Sequence, residues 1–217
     1  MFFTIITPTF NSQKNLSRCL SSVVDQNFEN YEQLIIDNSS TDKTISIAKE
    51  INNSKIKIIS ERDAGIYDAM NKGINFSNGR YLLFLNSDDE LDDKFFFKNS
   101  NKILQSKKID ILYSNIKYKK NKFNFRRNYI FGDIYNINKF GCHLPHPGTI
   151  IRKDYLYEIG LFNLKYKISA DFDFFIRANK NKKTVYFYYN YFTVIMSPGG
   201  ASSGLKNILR ANIECYQ

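Results

Sequence analysis

The chain has 217 residues, of which 43% are hydrophobic, and its formal net charge is +10. This length suffices for one α/β domain with a full core, and the hydrophobic share is typical of a globular protein. Three widely spaced cysteines without a CxxC pair argue against a disulfide framework and a structural zinc site. The sequence shows neither a signal peptide nor a membrane span, so we expect a cytoplasmic protein.

Strands and helices alternate along the first half of the chain. Runs of β-branched and aromatic residues predict strands over 2–7, 31–36, 56–60 and 81–85. Apolar residues at helical spacing predict helices that run from an N-cap at Ser12 to Gln26, over 44–51 and over 66–76. This order predicts an α/β fold with a doubly wound, mostly parallel sheet and right-handed crossovers.

Polar side chains follow three of these strands. They are the TPTFN run at 7–11, Asp37, and the NSDD run at 86–89. Strand ends of this kind converge on one crevice, which is where open α/β sheets bind ligands. Adjacent Asp88 and Asp89 are hard oxygen donors that suit Mg²⁺ or Mn²⁺, and such an ion in turn suits a diphosphate. Taken alone, 86–89 is equally typical of a solvated turn.

The fingerprints of two common phosphate-binding sites are missing. The chain has neither GxGxxG nor the phosphate-loop lysine motif, which argues against an NAD or P-loop site. A crevice lined by acids and hydroxyls instead favours a nucleotide diphosphate held through a metal ion.

Four segments resemble, in the same order, the motifs of the family 2 glycosyltransferases. They are TIITPTFN at 4–11, IIDNSSTD at 35–42, DAGIYDAMNKGI at 63–74 and LFLNSDD at 83–89. The resemblance is closest to the bacterial enzymes that build O-antigen, capsule and colanic-acid-type polysaccharides. It implies the GT-A fold, a Rossmann-like doubly wound sheet with a fused acceptor-binding half.

The resemblance also implies a domain organisation. The whole chain, 1–217, forms one glycosyltransferase domain. Its nucleotide-sugar-binding half covers 1–90, its metal- and acceptor-binding half covers 91–204, and an amphipathic C-terminal helix covers 205–217.

Roles for individual residues follow from the same resemblance. The implied nucleotide-binding residues are Thr7, Pro8, Thr9, Asn11, Asp37, Asp63, Gly65, Asn71, Asn86 and Ser87. Among them, Asp37 resembles the acid that accepts a hydrogen bond from the base, usually uracil. Asn86-Ser-Asp88 resembles the DxD motif, whose last acid binds the metal that bridges the two phosphates. Asn86 departs from this pattern, because Asp is usual there, so one ribose or metal-shell contact is neutral in this chain.

The second half predicts a helix over 91–105 and strands over 109–118 and 185–194. The stretch 119–141 is rich in Lys, Asn and aromatic residues, and in the family it is a variable region that faces the acceptor. Basic residues concentrate between Lys98 and Arg127 without any nucleic-acid-binding signature, so we expect no nucleic-acid partner. A solvated basic face explains most of them, and attraction to an anionic membrane surface is the second interpretation.

Two later segments resemble further family motifs, CHLPHPGTIIR at 142–152 and KISADFDFFIR at 167–177. His146 matches a position near the diphosphate or the acceptor, and a simple loop hydrogen bond is the alternative. Asp171 and Asp173 begin a predicted helix, where acids interact favourably with the helix dipole. The resemblance implies that Asp171 is the catalytic base and that Asp173 is a supporting acid in the same vicinity.

The last segments are a glycine- and serine-rich loop over 197–204 and a closing amphipathic helix. The loop is either a lid ordered by donor binding or a plain linker. The apolar pattern of the helix is still running at the last residue, which indicates either a truncated chain or a helix that rests on a membrane surface or a partner.

The resemblance therefore implies an inverting, metal-dependent glycosyltransferase of bacterial surface polysaccharide synthesis. It would move a sugar from a UDP-sugar to a hydroxyl of a glycan or lipid-linked glycan. Asp171 would be the general base, and Mn²⁺ or Mg²⁺ on Asp88 would offset the charge of the leaving diphosphate. The alternative is a catalytically weak or inactive nucleotide-sugar-binding protein on the same fold. A sugar nucleotidyltransferase fits less well, because 7–11 is not a glycine-rich, basic loop.

Overall fold

The computed structural model describes residues 1–120, 123–127, 144, 146–197 and 205–215. The strands are β1 Phe3–Thr9, β2 Tyr31–Asp37, β3 Ile56–Ser60, β4 Tyr81–Phe84, β5 Glu90–Leu91, β6 Ile111–Lys120, β7 Phe123–Arg127, β8 Thr149–Arg152 and β9 Tyr186–Met196. The helices are α1 Leu16–Val24, α2 Thr44–Glu50, α3 Ile66–Phe76, α4 Phe96–Ser106, α5 Lys153–Ile159, α6 Ala170–Lys180 and α7 Leu205–Cys215. A 3-10 turn, His146–Gly148, precedes β8.

The described strands form one sheet in the order β3-β2-β1-β4-β8-β6-β9-β5, with β7 paired to β6. The first four are parallel, and β1 lies between β2 and β4. β8 is antiparallel to both β4 and β6, so it joins the two halves of the chain within one sheet. The predicted α/β fold is confirmed. The sheet, predicted to be mostly parallel, is parallel over its first four strands and mixed in the second half, where, of the described strands, only β6 and β9 pair in parallel.

Helices cover both faces of the parallel half. Along β2, Ile35 packs with Leu20 and Ala48 beneath α1 and α2, whereas its neighbours Leu34 and Ile36 belong to the main core with α3. Because both faces of these strands are buried, their sequences are continuous apolar runs rather than alternating patterns. Helix α3 lies close to β1, since a Cβ at Gly73 would fall 2.4 Å from Ile6 Cγ2. This close contact fixes the helix that carries Tyr67.

Two predicted helix starts are wrong. Helix α1 begins at Leu16 with Asn15 in the N-cap position, because the Ser12 hydroxyl bonds to the Ser87 hydroxyl instead of capping a helix. Helix α4 begins at Phe96 rather than at 91, because 90–91 pairs with β9 as the short strand β5. In both cases a contact distant in sequence overrides the local pattern.

Most of the variable stretch 119–141, together with His143 and the loop 198–204, lies outside the described residues. The interpretations of those segments, and the division of the chain into two functional halves, therefore stay predictions. Among the helices within the described ranges, none is long and apolar enough to cross a membrane.

Candidate active site

The carboxyl ends of β1 and β2 meet at Thr9 and Asp37, which are paired in register. The Asp37 side chain is fully buried, and its carboxylate accepts hydrogen bonds from Thr9 Oγ1 at 2.9 Å and Ser60 Oγ at 2.7 Å. It also accepts bonds from the backbone N–H and the hydroxyl of Ser40. These bonds hold the loop after β2 against the end of β1. The base contact predicted for Asp37 stays a prediction, and both of its oxygens already have two protein donors.

The loop after β1 is tied to the loop after β2. Asn11 adopts a left-handed backbone with φ of 48°, and its side-chain oxygen accepts a bond from the Thr41 N–H at 3.0 Å. Beside it, Phe10 is 61% exposed, which leaves an aromatic face at this edge of the sheet. Thr7 and Pro8 lie further back and are buried within β1. Sequence reasoning did not single out Phe10, because only its exposure distinguishes it from a core phenylalanine.

The segment before α3 also reaches the crevice. The Asp63 carboxylate accepts the Gly65 N–H at 2.8 Å, while the Asp63 N–H donates to the Asn38 side chain. Burial raises the pKa of Asp63. Gly65 has φ of 125°, a conformation that residues with a Cβ rarely adopt. The segment is therefore a tight turn that places Asp63 beside the loop after β2.

Asn71 binds protein rather than facing an open crevice. Its amide nitrogen donates to the Phe162 carbonyl at 2.9 Å, and its amide oxygen accepts the Phe162 N–H at 3.1 Å. Both ends of the side chain are thus used to fasten α3 to the segment before α6. The nucleotide contact implied for Asn71 stays a prediction.

Two adjacent acids follow β4. Asp89 is 1% exposed, and burial together with the neighbouring Asp88 charge raises its pKa to about 7. It accepts bonds from the Ser197 N–H at 3.1 Å and from the Asn86 amide at 3.3 Å. Burial also raises the pKa of Asp88, which remains partly exposed. Within the described ranges, the Asp88 carboxylate makes no ion pair.

This acid pair fits a divalent cation. Burial disfavours a second negative charge beside the first, and a bound cation would offset that cost. The described part of the chain holds no group of three or more His, Cys, Asp or Glu side chains placed to bind a metal. Mg²⁺ commonly relies on one or two carboxylates, with substrate phosphates and water completing its shell. Asp88, the more exposed of the two acids, is therefore the residue that would hold such an ion.

A chain of hydrogen bonds connects this acid segment to Asp171. The Asn86 amide nitrogen lies 3.2 Å from His146 Nε2, and His146 Nδ1 lies 3.2 Å from Asp171 Oδ2. The other oxygen of Asp171 accepts the Tyr67 hydroxyl at 2.9 Å. Tyr67 and His146, from two separate segments, thus contact one carboxylate, and Asn86 is connected to it through His146. Tyr67 lies within a motif that the sequence already marked, but its role becomes visible only through this contact.

The neighbours of His146 indicate which of its ring nitrogens donates a hydrogen bond and which accepts one. The Asn86 amide nitrogen donates to the Asp89 carboxylate, so the same NH₂ group faces His146. His146 Nε2 must then accept, which places the ring proton on Nδ1, where it donates to Asp171. Asn86 and Asp171 therefore hold the His146 ring between them, with Nδ1 facing the carboxylate.

Asp171 is a carboxylate stabilised in its ionised form. Burial would raise its pKa, but hydrogen bonds from His146, Tyr67 and the Phe172 N–H outweigh it and hold the pKa below its usual value. The side chain keeps 23% of its surface exposed. An ionised, oriented and accessible carboxylate can accept a proton from a ligand hydroxyl.

Asp173 lies on the same helix and has a different partner. Its carboxylate accepts Arg177 Nε at 2.9 Å. Arg177 in turn donates to the carbonyls of 159, 160 and 161. Asp173 thereby braces the connection between α5 and α6, two residues along the helix from Asp171.

The sequence of this chain is similar to those of known glycosyltransferases. A family model described as Glycosyl transferase family 2 matches residues 4–184. A "PGL/p-HBAD biosynthesis glycosyltransferase" of Mycobacterium tuberculosis is 29% identical over 213 residues, covering 95% of this chain and 80% of the relative. The "UDP-Glc:alpha-D-GlcNAc-diphosphoundecaprenol beta-1,3-glucosyltransferase WfgD" of Escherichia coli is 36% identical over 87 residues, 40% of this chain and 34% of that protein.

Solved structures share the fold. A fragment of S. aureus TarS, residues 1–349 in complex with UDP-GlcNAc, superposes with a TM-score of 0.76 at 21% identity. The match covers 96% of this chain and 61% of the TarS fragment, so the chain spans less than two thirds of that structure. A mannosyltransferase from Pyrobaculum calidifontis in complex with GDP-Man and Mn²⁺ superposes with a TM-score of 0.69 at 15% identity, over 92% of this chain and 57% of the neighbour. These likenesses confirm the GT-A fold.

The imidazole arrangement is testable by ¹⁵N NMR, because the chain has only two histidines, His143 and His146. We expect the ring proton of His146 to lie on Nδ1, where it donates to Asp171. In Asn86→Asp a carboxylate replaces the amide NH₂ that faces Nε2, so the variant should favour a proton on Nε2. His143→Asn serves to assign the signals. A wild-type ring with its proton on Nε2 would contradict the bonding scheme.

Proposed function

We propose that this chain, which belongs to glycosyl transferase family 2, transfers a sugar from a UDP-linked donor to a hydroxyl of an acceptor glycan with inversion at the anomeric carbon. The observation that carries the proposal is the hydrogen-bonded chain from Asn86 through His146 to the partly exposed carboxylate of Asp171. It links an acid pair suited to a metal diphosphate with a carboxylate suited to a general base.

In the proposed reaction Asp171 accepts the proton of the acceptor hydroxyl as its oxygen attacks the anomeric carbon. The bond between that carbon and the diphosphate oxygen breaks in the same step, so an α-linked donor gives a β-linked product. His146 and Tyr67 hold the Asp171 carboxylate in place during the transfer. A divalent ion on Asp88, when bound, supplies Lewis-acid stabilisation of the leaving diphosphate.

The choice of a uridine donor draws on the relatives. The E. coli relative is named for a UDP-Glc donor, and the TarS fragment was solved with UDP-GlcNAc. In this chain the exposed ring of Phe10 offers a surface on which a base can stack. The name of the E. coli relative also supports a lipid-linked glycan acceptor in surface polysaccharide synthesis.

A non-catalytic binding protein is the alternative, and Asp171→Asn separates it from an enzyme. We expect this variant to lower kcat by about 10³-fold, because losing a general base typically costs 10²–10⁴ in rate. UDP affinity should stay within about twofold, since the variant leaves the acid pair in place. The measurement is radiolabelled sugar transfer alongside calorimetric UDP binding.

The matched control for that experiment is Asp154→Asn, which neutralises an acid on α5 whose side chain is 84% exposed. It should transfer at the wild-type rate. Equal transfer by wild type and Asp171→Asn would assign the base elsewhere, and a wild-type protein that binds UDP without transfer would favour the binding protein.

The metal site is tested by thermal melting with UDP, GDP, CDP and dTDP, each with and without Mn²⁺. We expect UDP with Mn²⁺ to raise Tm more than UDP alone, because the ion couples the diphosphate to Asp88. Asp88→Asn should lose the Mn²⁺-dependent part of the shift. An equal shift in both proteins would place the metal elsewhere, and a larger response to GDP would replace the proposed donor.

We further propose that the protein associates peripherally with an anionic membrane surface, at the inner face where a lipid-linked acceptor would lie. The net charge of +10 and two exposed apolar residues on α7, Leu209 and Ile213, support this. Cosedimentation with phosphatidylglycerol vesicles should exceed that with phosphatidylcholine vesicles and weaken in Leu209→Asp/Ile213→Asp. Absence of binding to either vesicle would remove the proposal.

A further inference from the structure

We propose that Glu214 is a positioning residue for Asp171, and that helix α7 is therefore part of the framework of the active site. The inference rests on the proposed function, in which Asp171 is the base. Helix α7 lies beyond residue 184, where the match to the family model ends. The role assigned to Glu214 comes from its contacts alone.

The Glu214 carboxylate binds three consecutive backbone N–H groups. Lys167 donates to Oε1 at 3.0 Å, Ile168 donates to Oε2 at 2.9 Å, and Ser169 donates to Oε2 at 3.0 Å. Only 8% of the Glu214 side chain is exposed. Successive N–H groups that converge on one anion form a backbone nest, so this is a built carboxylate site rather than a chance surface contact.

This nest lies directly before α6, the helix that carries Asp171. The N-cap residue of α6, Ser169, makes no side-chain capping bond, and its hydroxyl donates to the Ala211 carbonyl on α7 at 3.3 Å. A carboxylate near a helix N-terminus interacts favourably with the helix dipole. Glu214 thus supplies, from another helix, the anchoring that a local capping side chain usually provides.

The same short segment is held from the opposite side by α3. The Tyr67 hydroxyl lies 2.6 Å from the Ile168 carbonyl oxygen and 2.9 Å from Asp171 Oδ1. Ile168 is therefore fixed between Glu214 and Tyr67, and Asp171 follows three residues later. Freeing one side of this segment would shift Asp171 relative to both His146 and Tyr67, which hold it by single hydrogen bonds.

The charge of Glu214 is maintained by its surroundings. Burial would raise its pKa, but the three backbone N–H groups and Arg210 outweigh it and lower the pKa. The carboxylate is accordingly ionised at neutral pH. Arg210 pairs with Glu214 at 2.9 Å but is itself 55% exposed and makes none of the contacts to the segment before α6. It provides a matched control.

The experiment compares Glu214→Ala, Glu214→Gln and Arg210→Ala with wild type. Hydrogen exchange at the amides of 167–169 should quicken at least tenfold in Glu214→Ala. In the same variant kcat should fall at least tenfold, while UDP affinity stays within twofold. Glu214→Gln should be intermediate, because its single carbonyl oxygen replaces only part of the acceptor set. Arg210→Ala removes one partner of Glu214 but none of its three backbone contacts, so each of the three measurements should change by less than about twofold.

Added formate should partly restore both the slow exchange and kcat in Glu214→Ala, because a small carboxylate fits the vacated nest. Recovery of both slow amide exchange and kcat would support a positioning role for Glu214, because formate would not reverse a general loss of stability. Wild-type exchange or wild-type kcat in Glu214→Ala would overturn the inference. If Glu214→Ala melts below the assay temperature, Glu214→Gln decides by the same two criteria.

The controls also separate this inference from the proposed function. Absence of sugar transfer by the wild-type protein would remove the proposed function and, with it, the role of Glu214 towards a base. Transfer by wild type and Glu214→Ala at equal rates would remove only the inference.

Discussion

Several carboxylates are gathered at one end of the sheet, and burying them there is the constraint on which the rest of the site depends. A buried carboxylate stays ionised only when donors or cations compensate it. Asp37 has donors for both oxygens, and Asp171 has His146, Tyr67 and a backbone N–H. Asp88 and Asp89 are less well compensated, and burial raises the pKa of both.

The acids differ in how many hydrogen-bond donors surround them, and this difference suits them to different roles. The Asp37 carboxylate, each of whose oxygens accepts two hydrogen bonds, holds the loop after β2 in place. The Asp171 carboxylate accepts fewer hydrogen bonds, so it is oriented but still accessible. At Asp88 and Asp89, which have too few donors, a bound cation would offset the most uncompensated charge. Asn86 contributes to all of this as a neutral amide, since it donates to Asp89 and to His146 together. A carboxylate at position 86 would have added one more charge to a segment that already holds two.

Much of the fold follows from the sequence because its determinants are local. The helix predicted over 66–76 is observed as α3 Ile66–Phe76, and β2, β3 and β4 agree with prediction to within one residue. Periodicity specifies such elements without knowledge of their neighbours. The start of α4 failed because Leu91 takes its conformation from Val194 in a distant strand.

The site, like the fold, was predictable only where the local sequence carries the information. Residue type and motif indicated Asp88, His146 and Asp171, and the structure brings His146 and Asp171 into contact. Tyr67 and Glu214 were missed because nothing in their local sequence shows what they bond to. Asn71 shows the converse, since its motif position suggested a ligand contact and its amide instead holds Phe162.

Two groups that hold the acid-bearing segments in place lie near the C-terminal end of the sequence, which has a consequence for biosynthesis. The Ser197 N–H that binds Asp89, and Glu214 beneath α6, come from the last tenth of the chain, whereas the parallel half is complete near residue 90. A nascent chain can therefore form β1 to β4 well before the acids at their carboxyl ends are fully anchored, since domains emerge from the ribosome N-terminus first. A ribosome stalled before residue 197 would carry a folded sheet edge with an unfinished acid cluster. The segment before α6 would be held from both sides only after α7 has emerged.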